Sequence, residues 1–184
     1  MKRFFLPTIL LIFICNVLIA QDFIGLDKSP MDMAYYPDNF AHDRKPGEKA
    51  VIKVIYSRPK KNGREIFGKL ISYDKVWRTG ANEATEIKFY QDVEFGQKKL
   101  KAGTYSLFTI PGKKEWTIIL NSDLDYWGAY SYNDKNDVLR ISAPPIELNS
   151  TVESFTIQFE NKGDKEGIMN LAWDKTVVKV PFKL

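Results

Sequence analysis

Residues 103–120 read GTYSLFTIPGKKEWTIIL. β-branched and aromatic residues fill the segments on both sides of Pro111 and Gly112, and such residues favour strands. Proline followed by glycine favours a turn. The stretch therefore predicts a β-hairpin with strands at 104–110 and 116–120.

The rest of the chain shows the same short, turn-punctuated segments. We predict strands at 51–56, 84–90 and 138–141, a hairpin at 93–100 that turns at Gly96-Gln97, and a short helix or strand at 66–70. In the last third, apolar residues alternate in three rows separated by turns at 161–163 and 174–175, which predicts a three-strand meander. The rows are Phe155, Ile157 and Phe159; Met169, Leu171 and Trp173; and Val178, Val180 and Phe182.

No segment has sustained helical periodicity, and no linker or repeat divides the chain. The pattern predicts an all-β fold, namely an antiparallel β-sandwich of jelly-roll or immunoglobulin-like type with about eight to ten strands. Residues 21–48 contain several prolines and predict an extended arm or lead-in strand. Residues 49–184 form the predicted single sandwich domain.

The N-terminus has the layout of a secretory signal peptide. Lys2 and Arg3 precede an apolar run that ends at Ala20, which predicts cleavage of residues 1–20 and an exported protein, periplasmic or secreted. An N-terminal membrane anchor is the alternative, but the run is shorter than the roughly 20 residues a span needs. We therefore expect no stable membrane span after cleavage. Lipid attachment at Cys15 is disfavoured because Ile12-Phe13-Ile14 is bulky.

Composition excludes several functions. Cys15, the one cysteine, falls in the predicted signal peptide, so the mature chain would have no thiol nucleophile or cysteine-bound metal. His42, the one histidine, lies beside no nucleophile, which disfavours a Ser-His-Asp triad. No glycine-rich phosphate loop is present, and charges of both signs are interspersed, which argues against nucleic acid as a partner. We predict no catalytic residue, no cofactor and no metal; the alternative of a structural Ca²⁺ involves Asp123, Asp125, Asp134 and Asp137.

The polar, glycine-punctuated stretch 56–85 is the candidate site. It carries three arginines and an amide–acid pair, and the two aromatic walls we predict are Trp77 and Trp127. The candidate ligand-binding residues are Arg58, Arg64, Trp77, Arg78, Asn82, Glu83 and Trp127. Guanidinium groups with an aromatic wall suit a carboxylate, phosphate or sugar. The same residues also suit a buried ion-pair network that fastens an irregular connection to the sandwich.

From these residues we predict non-catalytic binding of a small polar or anionic ligand, or of a cell-envelope partner. A second hypothesis is a carboxylate-dependent hydrolase or lyase that pairs Glu83 with Glu65 or Asp74. A third is a structural or interaction module that uses an exposed sheet edge.

Four strings of residues carry a resemblance to a known family. They are YSRP at 56–59, GREIFG at 63–68, VWRTGANEAT at 76–85 and AGTYSLFTIPG at 102–112. On these strings the chain resembles the bacterial domain-of-unknown-function family 2911, from Ser29 to the C-terminus. The resemblance implies an exported bacterial protein and supplies no activity and no catalytic residue, so function must be argued from the site.

Overall fold

The computed structural model describes residues 23–184. The predicted signal peptide and Cys15 lie outside the described residues. Ten strands form two antiparallel sheets, which confirms the predicted all-β sandwich. The elements are β1 (Met31–Tyr36), α1 (Phe40–Asp43), β2 (Ile52–Ser57), β3 (Thr85–Phe89), β4 (Val93–Phe95), β5 (Lys98–Leu100), β6 (Gly103–Ile110), β7 (Trp116–Asn121), a 3₁₀ helix (Asp134–Asn136), β8 (Asp137–Ala143), β9 (Pro145–Gly163) and β10 (Glu166–Lys183).

The large sheet has six strands in the order β1-β2-β3-β6-β7-β8, and the small sheet has four in the order β5-β4-β10-β9. The predicted hairpin at 103–120 is β6 and β7, next to each other in the large sheet. The predicted hairpin at 93–100 is β4 and β5. Its turn residues Gly96 and Gln97 have φ of 57° and 68°, the left-handed pair that a two-residue hairpin turn needs.

The main core lies between the two sheets. The large sheet contributes apolar side chains at every second position, since alternate residues of a strand face the same side. Ile52, Val54 and Ile87 are fully buried there. Phe155 and Leu171 of the small sheet face them, each 1% exposed.

The C-terminal third differs from the prediction. The predicted three-strand meander is wrong, because β10 continues through the supposed turn at 174–175. Asp174 has a left-handed φ of 55° and marks a bulge, where Ala172 pairs with Thr156 but Thr176 pairs with Glu147. The surplus residues therefore lie on β9, and β10 passes the irregularity as a continuous strand.

The N-terminal segment is part of the sandwich. β1 pairs with β2 over its whole length and forms one edge of the large sheet. Residues 66–70, predicted as a short helix or strand, form neither; they lie in an irregular connection with one isolated bridge between Phe67 and Ile71.

A second, smaller core covers the outer face of the large sheet. Ala84, Phe108 and Ile119 are buried there, away from the interior cluster. The connection between β7 and β8 folds over them, and its Tyr126 and Tyr132 rings pack edge-on against Phe108 at 5.6 and 5.0 Å. This covering loop, residues 122–136, forms one wall of the candidate site.

Candidate functional site

Arg58 joins the two sheets. Its Nε donates to the carbonyl oxygen of Phe155 at 3.1 Å, and its Nη2 donates to Oγ1 of Thr156 at 2.9 Å. Its Nη1 forms an ion pair with the Asp32 carboxylate at 2.8 Å. Every nitrogen of the guanidinium therefore has a protein partner, as a half-buried arginine requires. The contacts support the structural interpretation of this residue.

Tyr56 binds the same edge strand, β9, as Arg58. Its hydroxyl donates to the carbonyl oxygen of Ile157 at 3.3 Å and accepts from the Ile157 amide at 3.1 Å. β9 is the last strand of the small sheet, so these backbone groups have no further strand to bind. Burial raises the pKa of Tyr56 above its ordinary value. The hydroxyl therefore stays protonated and satisfies both groups.

Arg64 lies apart from the other candidate residues. It is exposed in the turn that follows β2. Its Nε donates to the carbonyl oxygen of Lys61 at 2.9 Å, and its Nη2 donates to that of Lys60. These bonds fasten a local turn and bring Arg64 to no other candidate side chain.

Trp77 belongs to the interior core. It is 6% exposed, its indole stacks on that of Trp173 at 6.0 Å, and its ring nitrogen donates to the Gly80 carbonyl at 3.0 Å. We predicted it as an aromatic wall of the site, but the structure buries its ring between the sheets. Trp116 and Trp173 belong to the same core and are 2% and 1% exposed.

Arg78 and Asn82 hold the base of the covering loop. The carbonyl oxygen of Asn82 accepts from Nη1 of Arg78 at 3.1 Å and from the amide of Gly128 at 3.0 Å. Asn82 and Gly128 have φ of 59° and 72°, and the short amide side chain and the missing Cβ tolerate this conformation. The position of Trp127 follows from this anchor.

Trp127 stands exposed on that anchored backbone. Glu83 and Trp127 form an isolated antiparallel bridge, and the Ala84 amide donates to the Tyr126 carbonyl at 2.9 Å. The Trp127 side chain is nevertheless 61% exposed. A large indole is therefore held towards solvent by backbone hydrogen bonds on both of its neighbours.

A groove of about 350 Å³ lies between this loop and the start of β1. Its floor is the outer face of the large sheet, and three of its ten lining residues are acidic. The lining residues are Met31, Ile55, Tyr56, Ser57, Glu83, Ala84, Glu86, Asp125, Tyr126 and Trp127. Of the candidate residues, the groove therefore includes Glu83 and Trp127, whereas none of the arginines lines it.

Asp123 of the covering loop and Asp137 at the start of β8 accept hydrogen bonds from side chains of the loop. Asp123 Oδ2 accepts from the Tyr126 hydroxyl at 2.8 Å, and Asp137 Oδ2 accepts from the Tyr132 hydroxyl at 2.6 Å. Arg140 adds an ion pair to Asp137 at 2.7 Å. Within residues 23–184, no three acidic or histidine side chains converge in a manner that would hold a metal ion.

Tyr132 of the covering loop has a strongly raised pKa. Burial, and then the hydrogen bond to Asp137, raise the pKa of Tyr132 to about 12, while Arg140 opposes the rise. The guanidinium of Arg140 donates to the Tyr132 hydroxyl at 2.8 Å. The Tyr132–Asp137–Arg140 contacts therefore fix the far end of the covering loop.

A family model described as protein of unknown function (DUF2911) matches residues 38–182. The chain belongs to this family. The DUF2911 match spans β2 to β10 and includes every candidate residue. No curated protein and no solved structure matches the chain. Membership in DUF2911 implies no activity, so the function has to be inferred from the groove.

Sequence reasoning missed most of the groove. Glu86 is an outward-facing position of β3, which the alternation with Ile87 indicates, but nothing marks it as more than a solvated residue. Met31 and Asp125 enter the groove only because β1 and the covering loop meet there. Glu65 and Asp74, the acids paired with Glu83 in the hydrolase hypothesis, do not line it.

In the part of the chain that the structure describes, no helix is long and apolar enough to cross a membrane.

Proposed function

We propose that this protein is an exported, non-catalytic binding protein that holds a small polar ligand in the groove beside Trp127. The observation that carries the proposal is the 61% exposure of an indole whose backbone is anchored on both sides. Tryptophan supplies a large, rigid stacking surface at low entropic cost, which suits it to contact a ligand.

The dimensions of the groove support a small occupant. A volume of about 350 Å³ falls at the lower end of the range for small-molecule sites. Aromatic and apolar groups line the groove together with a few polar ones, which is the usual composition of such sites. The signal-peptide pattern of residues 1–20 supports export, and therefore a ligand met outside the cytoplasm.

We predicted a small polar or anionic ligand. The structure leads us to keep the polar ligand and to abandon the anionic one. The anion hypothesis depended on Arg58, Arg64 and Arg78 sharing one pocket. Arg58 is engaged with β9, Arg64 with its own turn and Arg78 with the Asn82 carbonyl. Without them, the charged lining of the groove is acidic.

A fluorescence titration tests the proposal. Trp127 is the most exposed of the tryptophans, since Trp77, Trp116 and Trp173 are at most 6% exposed, so a ligand stacked on it should change the emission. The titrants are sugars, amines, carboxylates and phosphates. Trp127→Ala should abolish the binding that isothermal calorimetry measures, whereas Tyr90→Ala, which removes another exposed ring, should preserve it. Equal binding by the Trp127→Ala variant, or no binding by any titrant, would refute the proposal.

Arg78→Ala is the second variant of interest. Loss of the bond from Nη1 to the Asn82 carbonyl should loosen the base of the covering loop and weaken binding, even though Arg78 does not line the groove. The comparison with Trp127→Ala separates the two effects. Arg78→Ala should also lower the melting temperature, while Trp127→Ala should leave it nearly unchanged.

A carboxylate-dependent hydrolase or lyase is the second candidate. It is favoured by one observation, the presence of Glu83, Glu86 and Asp125 on the same groove. Two carboxyl groups roughly 5–10 Å apart across a cleft are the arrangement that glycoside hydrolysis uses. Turnover of a glycoside that binds the groove, lost in Glu83→Gln and Glu86→Gln but with binding retained, would favour this candidate over simple binding.

A further inference from the structure

We propose that the ligand of the groove carries an organic ammonium group, held between the Trp127 indole and the acidic lining. This inference rests on the proposed binding function and names the chemical class of its ligand. The groove combines an exposed aromatic ring, an unbalanced negative charge and apolar floor residues. These three features together select an alkylated or primary ammonium ion over a neutral sugar or an anion.

The charge of the groove has one sign. Glu83, Glu86 and Asp125 are its three charged lining residues. The ion pairs found among residues 23–184 join other partners and include none of these carboxylates. β1 and β2 contribute Met31, Ile55, Tyr56 and Ser57, which bear no charge at neutral pH. A cation entering the groove therefore meets carboxylates that form no direct ion pair with a lysine or arginine of residues 23–184.

The nearest arginines are directed elsewhere. Arg58 leaves the end of β2 towards β9 and Asp32, and it lines a different groove on the β1–β9 side. Arg78 donates to the carbonyl oxygen of Asn82, the residue before Glu83. Neither side chain lines the groove.

The aromatic wall suits the same ligand. The face of an indole is the most favourable protein surface for a cation, and rings beside carboxylates are the common arrangement for binding alkylated ammonium groups. Tyr126 stands next to Trp127, and Met31, Ile55 and Ala84 add apolar contacts. An organic cation uses all of these groups.

A bare metal ion does not fit this lining. Hard cations need six to eight oxygen ligands at close range for Ca²⁺, or near-octahedral oxygens for Mg²⁺. Within the described range 23–184, acidic side chains do not converge in groups that would hold such an ion. The aromatic and apolar residues of the groove would also have no role with a metal.

Isothermal calorimetry with a matched pair of compounds tests the inference. The first compound is choline, and the second is 3,3-dimethyl-1-butanol, which has the same shape with carbon in place of the charged nitrogen. Glucose and inorganic phosphate complete the set. We expect choline to bind at least about tenfold more tightly than its neutral isostere, and more weakly as ionic strength rises.

Two sets of variants then assign the contacts. Trp127→Leu should weaken choline binding by about tenfold, while Trp127→Phe, which keeps an aromatic face, should recover part of that loss. The combined variant Glu83→Gln, Glu86→Gln and Asp125→Asn keeps the shape of the groove and should weaken choline binding without affecting its isostere. Circular dichroism and the melting temperature confirm that each variant is folded.

The outcomes separate this inference from the proposed function. If choline and its isostere bind equally, or if glucose or phosphate binds and choline does not, the ammonium inference is wrong, and the proposed function stands provided that the observed binding is lost in Trp127→Ala. If Trp127→Leu binds choline as well as the natural protein, the ammonium site lies elsewhere and the inference is wrong. If no compound of any class binds, both the inference and the proposed function are refuted.

Discussion

Trp77 packs between the two sheets, whereas Trp127 stands on the loop that covers the outer face of the large sheet. Trp77 is 6% exposed and touches Trp116, Trp173, Phe67 and Phe155. Trp127 is 61% exposed, and it is held through backbone hydrogen bonds of its neighbours rather than through its ring. The interior ring therefore contributes to folding, and the exterior ring is free to contribute to binding.

The arginines and the carboxylates near the groove also differ in whether they serve the scaffold or line the groove. Arg58 donates to a carbonyl and a hydroxyl of β9 and to the Asp32 carboxylate, and Arg78 donates to a backbone carbonyl at the base of the covering loop. Glu83, Glu86 and Asp125 line the groove and take part in no ion pair found among residues 23–184. Arg58 and Arg78 thus support the scaffold, while Glu83, Glu86 and Asp125 face the groove. Variants on the two sides should consequently differ in what they change.

The largest difference should come from truncating the two tryptophans. Trp77→Ala removes a ring from a dense aromatic cluster and should lower the free energy of unfolding by about 3–5 kcal/mol. Trp127→Ala removes an exposed ring and should change it by less than about 0.5 kcal/mol. Urea denaturation followed by circular dichroism measures both. Equal destabilisation by the two variants would mean that Trp127 is packed rather than exposed.

A smaller effect is expected at the edge of the sandwich. Tyr56→Phe removes the hydroxyl that binds both the amide and the carbonyl of Ile157. Unpaired buried backbone groups cost about 1–3 kcal/mol, so the free energy of unfolding should fall by about that amount. Tyr130→Phe, at a ring that is 83% exposed, is the matched control and should have no measurable effect. An unchanged stability in Tyr56→Phe would show that water replaces the hydroxyl at this edge.

The fold was predictable because its signals are local. The hairpin at 103–120 combines β-branched strands with a Pro-Gly turn, and the alternation of Phe155, Ile157 and Phe159 requires one buried face. The bulge at Asp174 was not predictable in the same way. A left-handed Asp followed by Lys resembles a turn, and only the pairing with β9 shows that the strand continues.

The candidate site was predictable only in part because its contacts are distant in sequence. Two of the partners of Arg58, the carbonyl oxygen of Phe155 and Oγ1 of Thr156, are on β9, about a hundred residues away, and a backbone oxygen carries no sequence signal. The anchor of Trp127 is likewise the Asn82 carbonyl, reached through Gly128. Of the candidate residues, Trp127 and Glu83 are the two that line the groove. Their neighbours Glu86 and Met31 required the three-dimensional arrangement.

Arg58 and Arg64, two arginines of the candidate stretch, should differ in how much they contribute to the free energy of unfolding. Arg58→Met should lower the free energy of unfolding by about 1–2 kcal/mol, because it removes three hydrogen-bonded contacts, one of them with the charged Asp32. Arg64→Met, which affects only an exposed turn, should lower it by less than about 0.5 kcal/mol. Thermal and urea unfolding measure both. A larger loss in Arg64→Met would show that the turn after β2, and not the β2–β9 junction, limits stability.

The smallest effect should be confined to alkaline pH. Because burial and Asp137 raise the pKa of Tyr132 to about 12, its folded form keeps a proton that the unfolded chain releases near pH 10. The contribution of Tyr132 to stability should therefore be constant below about pH 9 and should fall as pH approaches 12, since the unfolded state binds fewer protons in that window. Tyr132→Phe should make this decline shallower without removing it, because burial also raises the pKa values of Tyr36, Tyr56, Tyr105 and Tyr126. Urea denaturation at a series of pH values measures the slope, and the region below about pH 9 serves as the internal control. An identical alkaline slope in the natural protein and in Tyr132→Phe would mean that the far end of the covering loop opens before Tyr132 titrates.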